Sequence, residues 1–394
     1  MPLDPIPFRL RSTDRPPATA DVVVVGAGIV GAACAYYAAR EGLSVTVLER
    51  GTVGGGTTSR GEGNILVSDK EPGPELALAL ASRTRWLELA AELGPDRFEL
   101  EEKGGLVVAA SDGGAAALTR FAAGQRAAGV ETVAVSADRL RDHEPNLAPD
   151  LAAGVLYPQD MQVQPVLAAV SLLAAARSLG AAVVRGEEVV AADRGPDGHL
   201  TAVRTRTGRY PTGAVVNAAG TWGGEVGERL GAPIPVLPRR GFILVTEPLP
   251  RVVRHKVYTA DYVDNVASDD AGLETSTVIE GTRGGTVLIG ASRERVGFDS
   301  TMSVEVLRRL ATLAIRIFPF LAAVRLMRTY CGFRPYCPDH LPVIGPDPRV
   351  PGVFHACGHE GAGIGLAPGT GALISQSLTG GRPDLPAFAP ARFA

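Results

Sequence analysis

The stretch Asp21–Arg50, DVVVVGAGIVGAACAYYAAREGLSVTVLER, decides the fold. It begins with four valines, 22–25, which form the short apolar run of a buried parallel strand. The glycine pattern GxGxxG follows at Gly26–Gly31 and opens a helix, and a second apolar strand ends at Glu49. In such a unit the glycines let the backbone approach a pyrophosphate at the helix N-terminus, and the acid accepts hydrogen bonds from a ribose. The stretch therefore predicts a dinucleotide-binding βαβ unit.

The composition is that of an ordinary globular chain. The chain has 394 residues, a length that is enough for about two domains. Of these residues, 45% are hydrophobic and 21% are charged. The net charge of −3 argues against a nucleic-acid partner. Residues 1–19 carry prolines and charges but no signal-peptide core, and we expect a poorly ordered leader there. No uncharged apolar run reaches the roughly 18 residues of a membrane span, so we expect a cytoplasmic protein.

The cysteines give no sign of a metal site. The chain has four, Cys34, Cys331, Cys337 and Cys357, without CxxC pairing or zinc-like spacing. His359 lies close to Cys357, but one such pair is too sparse to hold an ion. We therefore expect no bound metal.

The order of helical and strand patterns predicts an α/β chain that is interrupted by a second domain. Alternating apolar strands and helices extend to about residue 235, and residues 236–327 then carry a run of antiparallel strand patterns. We assign a discontinuous nucleotide-binding domain to residues 20–90, 150–235 and 328–394. A substrate-binding domain takes residues 91–149 and 236–327.

Four signatures, in order, resemble the FAD-dependent D-amino-acid oxidase family, which includes glycine and sarcosine oxidases and the D-hydroxyproline and opine dehydrogenases. They are GAGIVG with Glu49, TTS at Thr57–Ser59, AAGTW at Ala218–Trp222, and GFRP with GHEGAGIGLAP near the end. The resemblance extends from about Asp21 to Leu378. It implies a Rossmann-like, doubly wound FAD-binding domain with an inserted α+β substrate domain built on an antiparallel sheet.

The resemblance also implies which residues hold FAD. The first glycine turn would hold the pyrophosphate, Glu49 the adenosine ribose, and Val189 the adenine through its backbone. The final glycine loop would place amides at the pyrimidine edge of the flavin. The full set is Gly26, Ala27, Gly28, Ile29, Val30, Gly31, Glu49, Arg50, Thr57, Thr58, Gly61, Gly63, Asn64, Val189, Ala218, Ala219, Gly220, Trp222, Gly361, Ala362, Gly363, Ile364 and Gly365.

Arg334, in the GFRP motif, matches the family's carboxylate-binding arginine. The chemistry agrees, because a planar guanidinium can meet a carboxylate with two hydrogen bonds. A tyrosine of the strand domain assists in the family, and Tyr258 and Tyr262 are the two candidates. Cys331 lies near the position through which some sarcosine-oxidising relatives attach flavin covalently, but it is about one residue out of register.

These residues predict an FAD-dependent enzyme that oxidises the C–N bond of an amino or imino acid to an imine. The stretches GEGNILVSDKEPGPEL and CGHEGAGIGLAPGTG resemble the catalytic subunits of D-hydroxyproline and opine dehydrogenases. That likeness implies a D-hydroxyproline- or D-proline-like substrate and a hetero-oligomer with an iron–sulfur subunit. Some glycine-oxidising relatives carry an arginine where this chain has Gly361.

Three alternatives stay open at this stage. One is a glycine- or sarcosine-type oxidase that makes hydrogen peroxide, and another is a non-catalytic FAD subunit that relays electrons in a larger complex. The third is a nicotinamide-dependent dehydrogenase, which the first glycine motif alone would fit but the later glycine loops do not favour.

Overall fold

The computed structural model describes residues 10–13, 16–260, 271–383 and 386–394. Its chain alternates strands and helices early and carries mostly strands later. The strands are β1 (Ala20–Val25), β2 (Val45–Glu49), β3 (Asn64–Ile65), β4 (Gly105–Ala109), β5 (Val133–Ser136), β6 (Ala153–Tyr157), β7 (Met161–Gln162), β8 (Ala182–Arg185), β9 (Val189–Arg194), β10 (Leu200–Thr205), β11 (Arg209–Asn217), β12 (Leu237–Thr246), β13 (Lys256–Thr259), β14 (Glu274–Gly281), β15 (Val287–Arg293), β16 (Leu326–Tyr336), β17 (Val343–Pro346) and β18 (Val353–Cys357). The helices are α1 (Ile29–Arg40), α2 (Pro74–Leu93), α3 (Asp112–Ala127), α4 (Leu140–His143), α5 (Pro165–Ser178), α6 (Gly223–Leu230), α7 (Val304–Ile317) and α8 (Gly363–Leu378).

The first large sheet carries the dinucleotide motif at its centre. Its strands run in the order β17-β18-β11-β1-β2-β8, with β9 and β10 attached through β11. The pairs of β1 with β2 and β11, of β2 with β8 and of β11 with β18 are parallel. Both faces of β1 are covered, and Val22–Val24 have no exposed surface. This burial explains why the strand is an unbroken valine run rather than an alternating pattern.

Helix α1 packs between α5 and α8 on this sheet. Ten of its twelve residues are buried, and most of them are alanine or glycine. A helix that is buried on nearly every side needs small side chains where its neighbours approach closely. At one such approach, a Cβ on Gly371 of α8 would lie 2.7 Å from the backbone of Ala33.

The second large sheet is mostly antiparallel, in the order β16-β12-β15-β14-β13-β4-β6-β5. Helix α7 covers β12, β14 and β15 and buries Val306, Leu310, Ala314 and Ile317 against them. Ser303 caps this helix, because its Oγ accepts a hydrogen bond from the Val306 amide at 3.4 Å. The two large sheets confirm the predicted α/β fold with an additional antiparallel sheet.

The structure departs from the sequence predictions in several places. The residues Phe98–Glu102 alternate as in a strand, but the chain forms a short 3-10 helix at Pro95–Arg97 and only a single bridge at Glu101. Strands β6 and β16 fall within ranges assigned to the nucleotide-binding domain, yet both pair within the second sheet. The division into two domains stays a prediction.

Part of the expected leader lies against the first sheet. The Thr13 amide donates to the Val183 carbonyl at 2.7 Å, and Leu10 is buried. Residues 1–9, 14 and 15 lie outside the described residues. In the described ranges no helix is long and apolar enough to cross a membrane, and the cytoplasmic location stays a prediction.

Candidate active site

An elongated cavity of about 360 Å³ is lined by residues of both large sheets. One end lies between Glu49 and Val189, and the middle passes the Gly26–Gly31 turn. The other end reaches the Gly361–Ile364 loop and Arg334 on β16. The first sheet therefore supplies the cavity's glycine turn, and the second sheet closes its far end.

The glycine turn gives the cavity its close-approach surface. Gly26 has φ +105°, and a Cβ there would lie 2.6 Å from the Ala218 carbonyl oxygen. A Cβ on Gly31 would overlap the carbonyl oxygen of Gly26, so α1 can start this close to β1 only with glycine. Gly28 faces the cavity, with Thr58 Oγ1 3.2 Å from the position of its missing Cβ. A different contact therefore accounts for each of the three glycines in the Gly26–Gly31 turn.

The acid at the end of β2 is fixed by backbone donors. Glu49 accepts hydrogen bonds from the Ala27 amide at 2.8 Å and the Gly51 amide at 2.7 Å. The next residue, Arg50, places its guanidinium carbon 4.1 Å from the ring centre of Trp222. Glu49 thus faces the cavity in one orientation, as a ribose acceptor requires.

The loop after β2 approaches the start of α1 and the second sheet. Thr58 Oγ1 accepts a hydrogen bond from the Ile29 amide at 3.0 Å. Thr57 Oγ1 donates to the Phe333 carbonyl at 2.7 Å, next to Arg334. The TTS signature therefore connects the glycine turn to the GFRP strand.

The final glycine loop closes the far end of the cavity. His359 is buried there, and its Nε2 lies 2.9 Å from Thr370 Oγ1. Burial lowers the pKa of His359 to about 3, so this imidazole is neutral. Glu360 has φ +46° and is held by Arg239 Nη1 at 2.6 Å. The loop thus presents backbone groups and a neutral histidine, not a cation, beside Gly361.

Arg334 lies where the cavity meets a second, smaller cavity of about 200 Å³. Its Nη1 donates to the Ser292 carbonyl at 2.8 Å, and Gly241 on the adjacent strand leaves room for the guanidinium. The smaller cavity has charged walls, which include Lys70, Glu75 and Arg293. The arginine is therefore oriented by the second sheet and faces a polar compartment.

The two candidate tyrosines have different outcomes. Tyr258 does not line either cavity; it is fully buried, and its hydroxyl donates to Ser68 Oγ at 2.5 Å. Its packing against β4 explains this, since the side chain points into the core rather than along the sheet surface. Tyr262 lies outside the described residues.

Most of the other predicted site residues line the main cavity. Those that do are Gly26, Gly28, Ile29, Val30, Glu49, Arg50, Thr57, Thr58, Gly61, Asn64, Val189, Ala218, Ala219, Gly220, Trp222, Gly361, Gly363 and Ile364. Five do not, namely Ala27, Gly31, Gly63, Ala362 and Gly365. Of these, Ala27 and Gly63 donate their amides to Glu49 and Glu280, and Ala362 lines the smaller cavity.

The sequence analysis missed several lining residues. Glu62, Gly241, Ile243 and Gly332 all line the main cavity near Arg334. Three of these lie on β12 and β16, and only strand pairing brings them to the site. Glu62 had a local signal, because an acid between two glycines beside the TTS loop is unusual. Cys331 was considered for a covalent bond, but it packs in the core of the second sheet and does not line the cavity.

The residues that line the cavity fit the chemistry of FAD. The cavity joins a glycine turn at a helix start, which suits a pyrophosphate, to an acid placed for a ribose at one end. At the other end a second glycine loop precedes α8, and polar residues such as Arg334 and Glu62 line the space beside it together with apolar ones. A doubly wound sheet with these two loops defines the class of flavin-dependent oxidoreductases.

The chain belongs to the DAO family of FAD-dependent oxidoreductases, whose sequence profile matches residues 21–377. Glycine oxidase of Geobacillus kaustophilus is 31% identical over 364 residues, which cover 90% of this chain and 92% of that protein. Subunit HcnC of the hydrogen cyanide synthase of Pseudomonas aeruginosa is 29% identical over 400 residues, with 91% and 92% covered. These matches confirm the family inferred from the motifs, with FAD as cofactor, and decide against a nicotinamide enzyme.

Solved structures confirm the fold. The crystal structure of glycine oxidase from Geobacillus kaustophilus superposes with a TM-score of 0.85 at 28% identity, over 95% of this chain and 99% of that one. The crystal structure of L-proline dehydrogenase from P. horikoshii gives a TM-score of 0.86 at 25% identity, over 96% and 98%. Both agree with this chain over nearly its whole length.

Proposed function

We propose that this protein oxidises the C–N bond of an amino or imino acid, with a D-hydroxyproline- or D-proline-like compound as substrate. The observation that carries this proposal is Arg334 at the end of the cavity opposite the dinucleotide end. A guanidinium held by the second sheet suits a substrate carboxylate at the far end of a bound FAD. FAD, when bound, supplies a two-electron acceptor for the hydrogen on the substrate's α-carbon.

We assign the FAD contacts to the cavity-lining residues. Gly26 and Gly28 would admit the pyrophosphate, Glu49 would accept from the ribose, and the amides of Gly361–Ile364 would meet the flavin end. Val189 would lie at the adenine, where Arg229 already donates to its carbonyl at 2.9 Å. The predicted residues that do not line the cavity would hold the lining residues in position.

Arg334 would bind the carboxylate with two parallel hydrogen bonds and so fix the direction of the α-carbon. Its Nη1 donates to the Ser292 carbonyl at 2.8 Å, which fixes the guanidinium at this end of the cavity. Orientation of this kind can supply on the order of several kcal/mol of the reaction barrier. The neutral, buried His359 adds no competing positive charge at this end of the cavity.

Two observations favour a cyclic substrate over glycine. Gly361 provides no basic side chain, and its Cβ position lies 3.9 Å from Arg334, so this position leaves room beside the guanidinium. The smaller cavity beside Arg334 leaves space for a ring. The L-proline dehydrogenase with the same fold supports a cyclic imino acid as the substrate class.

The test is anaerobic reduction of the FAD-loaded protein by a panel of amino acids. It includes both enantiomers of proline and 4-hydroxyproline, together with glycine, sarcosine and D-alanine, followed by the loss of flavin absorbance. We expect a D-configured cyclic imino acid to reduce the flavin fastest. No reduction by any member would contradict the proposal and favour an electron-relay subunit.

A second candidate is a glycine- or sarcosine-type oxidase, which the glycine oxidase relative supports. It predicts that glycine or sarcosine reduces the flavin as fast as proline does, and that oxygen reoxidises it with stoichiometric hydrogen peroxide. The same panel, repeated in air with a peroxide assay, separates the two candidates.

A hetero-oligomer with an iron–sulfur subunit forms part of the proposal. HcnC, which matches this chain along nearly its full length, is a subunit of a larger synthase. The four cysteines of this chain are free and buried, so a cluster would come from another polypeptide.

A further inference from the structure

Glu62 has a buried carboxylate oxygen beside the cavity. The side chain is 6% exposed and lines the cavity close to Arg334. Its Oε2 accepts from Asn64 Nδ2 at 3.2 Å and lies 3.5 Å from Lys256 Nζ. Among the residues that the structure describes, no donor reaches its Oε1. A buried acceptor without a donor costs free energy unless a bound molecule supplies one.

The second sheet makes specific room for this oxygen. A Cβ on Gly290 would lie 2.8 Å from Glu62 Oε1 and 2.8 Å from Ile243 Cδ1. Gly241, two residues before Ile243 on β12, makes room for Arg334 in the same way. Residues two apart on a strand share a face and are about 7 Å apart. Arg334 and Glu62 therefore lie against neighbouring positions on one face of the sheet, and the charge of Arg334 acts on the Glu62 carboxylate.

The charges around Glu62 favour a cation. Glu62 and Glu280 share one lysine, Lys256, whose Nζ lies 2.8 Å from Glu280 Oε2. All three side chains are buried, and Lys103, which also faces Glu280, is paired with Glu101 at 3.6 Å. Arg334 acts on Glu62 as well, but once a substrate carboxylate matches its charge, two ionised carboxylates would leave one excess negative charge beside Lys256. The Gly63 amide donates to Glu280 at 3.1 Å but carries no charge. A ligand with an ammonium group would complete this cluster.

We infer that Glu62 binds the amino group of the substrate and receives its proton, while Arg334 binds the carboxylate. The inference rests on the proposed function. An amino acid arrives as a zwitterion, with one proton too many on nitrogen for oxidation. Transfer of that proton to Glu62 Oε1 frees the nitrogen lone pair, which forms the C=N bond as the Cα–H bond breaks. The hydrogen leaves with both bonding electrons to FAD, and the product is a protonated imine.

Several titratable groups face Glu62 and set its proton affinity. Burial raises the pKa of Glu62, Lys256 and Arg334 oppose that rise, and Glu280 adds to it. Tyr330 on β16 is also close, and its hydroxyl donates to the Gly61 carbonyl at 3.0 Å. A carboxylate that holds a proton more readily than usual is suited to accept one from an amine.

The experiment compares Glu62→Gln with Glu280→Gln in the FAD-loaded protein. Both variants remove one carboxylate charge from the same cluster, but only Glu62 lines the cavity. Two probes are titrated against the flavin spectrum: 2-methylproline, which has an ammonium group but no Cα–H, and tetrahydrofuran-2-carboxylate, which has no amine. Neither can undergo the proposed reaction, because 2-methylproline has no hydrogen on Cα and tetrahydrofuran-2-carboxylate has no nitrogen, so each titration reports binding.

We expect Glu62→Gln to weaken 2-methylproline binding by about tenfold or more, as for loss of a hydrogen bond to a charged group. Its affinity for tetrahydrofuran-2-carboxylate should change by less than about threefold, because the Arg334 contact is kept. Glu280→Gln should affect the two probes alike. An equal effect of Glu62→Gln on both probes, or none on either, would overturn the inference.

A second measurement uses the pH dependence of flavin reduction. With Glu62 accepting the proton, the second-order rate constant for reduction by proline should be nearly independent of pH between about 6 and 8. In Glu62→Gln it should rise about tenfold per pH unit, because only free amine then reacts. A wild-type profile with that same slope would refute the proton transfer. If no amino acid reduces the wild type, the proposed function itself fails instead.

Discussion

Arg334 is the residue on which substrate binding depends most directly. Its guanidinium is oriented by the Ser292 carbonyl and by the space at Gly241, and nothing in that arrangement involves the glycine turn that would hold FAD. Substrate binding and flavin binding should therefore separate on mutation.

We predict that Arg334→Ala keeps FAD but raises the proline concentration needed for half-maximal reduction by orders of magnitude. Loss of a desolvated charge pair costs about 2–5 kcal/mol. Arg334→Lys should recover little, because an ammonium lacks the planar fork. Stopped-flow reduction measures both, with Arg328→Ala, an exposed position on the same strand, as control. If proline reduced the flavin of Arg334→Ala at the same concentration as in the wild type, Arg334 would not be the residue that binds the substrate carboxylate.

His359 provides a prediction about stability and pH. Its pKa is lowered to about 3 by burial, whereas an unfolded chain binds this proton near pH 6.5. The unfolded state therefore holds more protons between these values, and stability falls as pH decreases through that window. The contribution is about 1.4 kcal/mol per pH unit.

His359→Gln should reduce the change of the free energy of unfolding per pH unit by the contribution of one titrating group. Urea unfolding of the FAD-saturated protein at intervals from about pH 6.5 to about pH 4.5 measures it. His199→Gln, at an exposed histidine, is the control and should keep the wild-type slope. Equal slopes in wild type and His359→Gln would show that His359 is not buried as a neutral ring.

At the scale of single elements, the β1–α1–β2 unit carries the cofactor end of the cavity. The backbone of this unit, not its side chains, forms the surface, because Gly26 and Gly31 fit only without a Cβ. Gly28 also lines the cavity, but its Cβ position meets no backbone atom and only Thr58 Oγ1, at 3.2 Å.

We predict that Gly28→Leu leaves the fold intact but abolishes FAD retention, since a large side chain would occupy the pyrophosphate position. The ratio of flavin to protein absorbance after gel filtration measures this, and circular dichroism checks the fold. Gly113→Ala in α3 is the control, because a Cβ there meets nothing within 4 Å. A yellow, stoichiometric Gly28→Leu protein would place the pyrophosphate elsewhere.

The sequence predicted this element well because its signals are local. Strand, glycines, helix and acid follow one another within Asp21–Arg50, and each is decided by neighbours in the chain. The Arg334 end is different, since it forms only when β16 pairs with β12 and β12 with β15. That pairing joins segments that are distant in the sequence, so no local pattern predicts that Gly241 and Gly290 belong to the site. The position of Tyr258 was hidden for the same reason, because strand pairing places it in the core and not among the cavity-lining residues.

At the scale of the whole molecule, the cavity joins two sheets with separate tasks. The first sheet carries the glycine turn and the second carries Arg334, with Glu62 reaching the same sheet face from the loop after the TTS signature. The TTS loop links them through Thr57, which donates to the Phe333 carbonyl. Substrate specificity can therefore change with side chains on the second sheet while FAD binding stays the same.

The last prediction concerns where the electrons go. The cysteines lie in three separate places: Cys34 in α1, Cys331 in the second sheet's core, and Cys337 with Cys357 in a small cluster. An iron–sulfur centre needs about four such ligands together, so this chain alone cannot hold one. As a catalytic subunit that passes electrons to a partner, the isolated chain should reduce an artificial dye much faster than oxygen.

Steady-state assays with D-proline, in air with peroxide detection and anaerobically with a phenazine dye, measure this preference. Glycine and sarcosine serve as parallel substrates, and the FAD-free protein serves as the blank. We expect the rate of dye reduction to exceed the rate of peroxide formation by at least about tenfold. The reason is that the reduced flavin of such a subunit passes its electrons to a partner protein and not to oxygen. Fast, stoichiometric peroxide from glycine or sarcosine, with no response to D-proline plus dye, would instead establish a self-sufficient oxidase whose second sheet serves a smaller substrate.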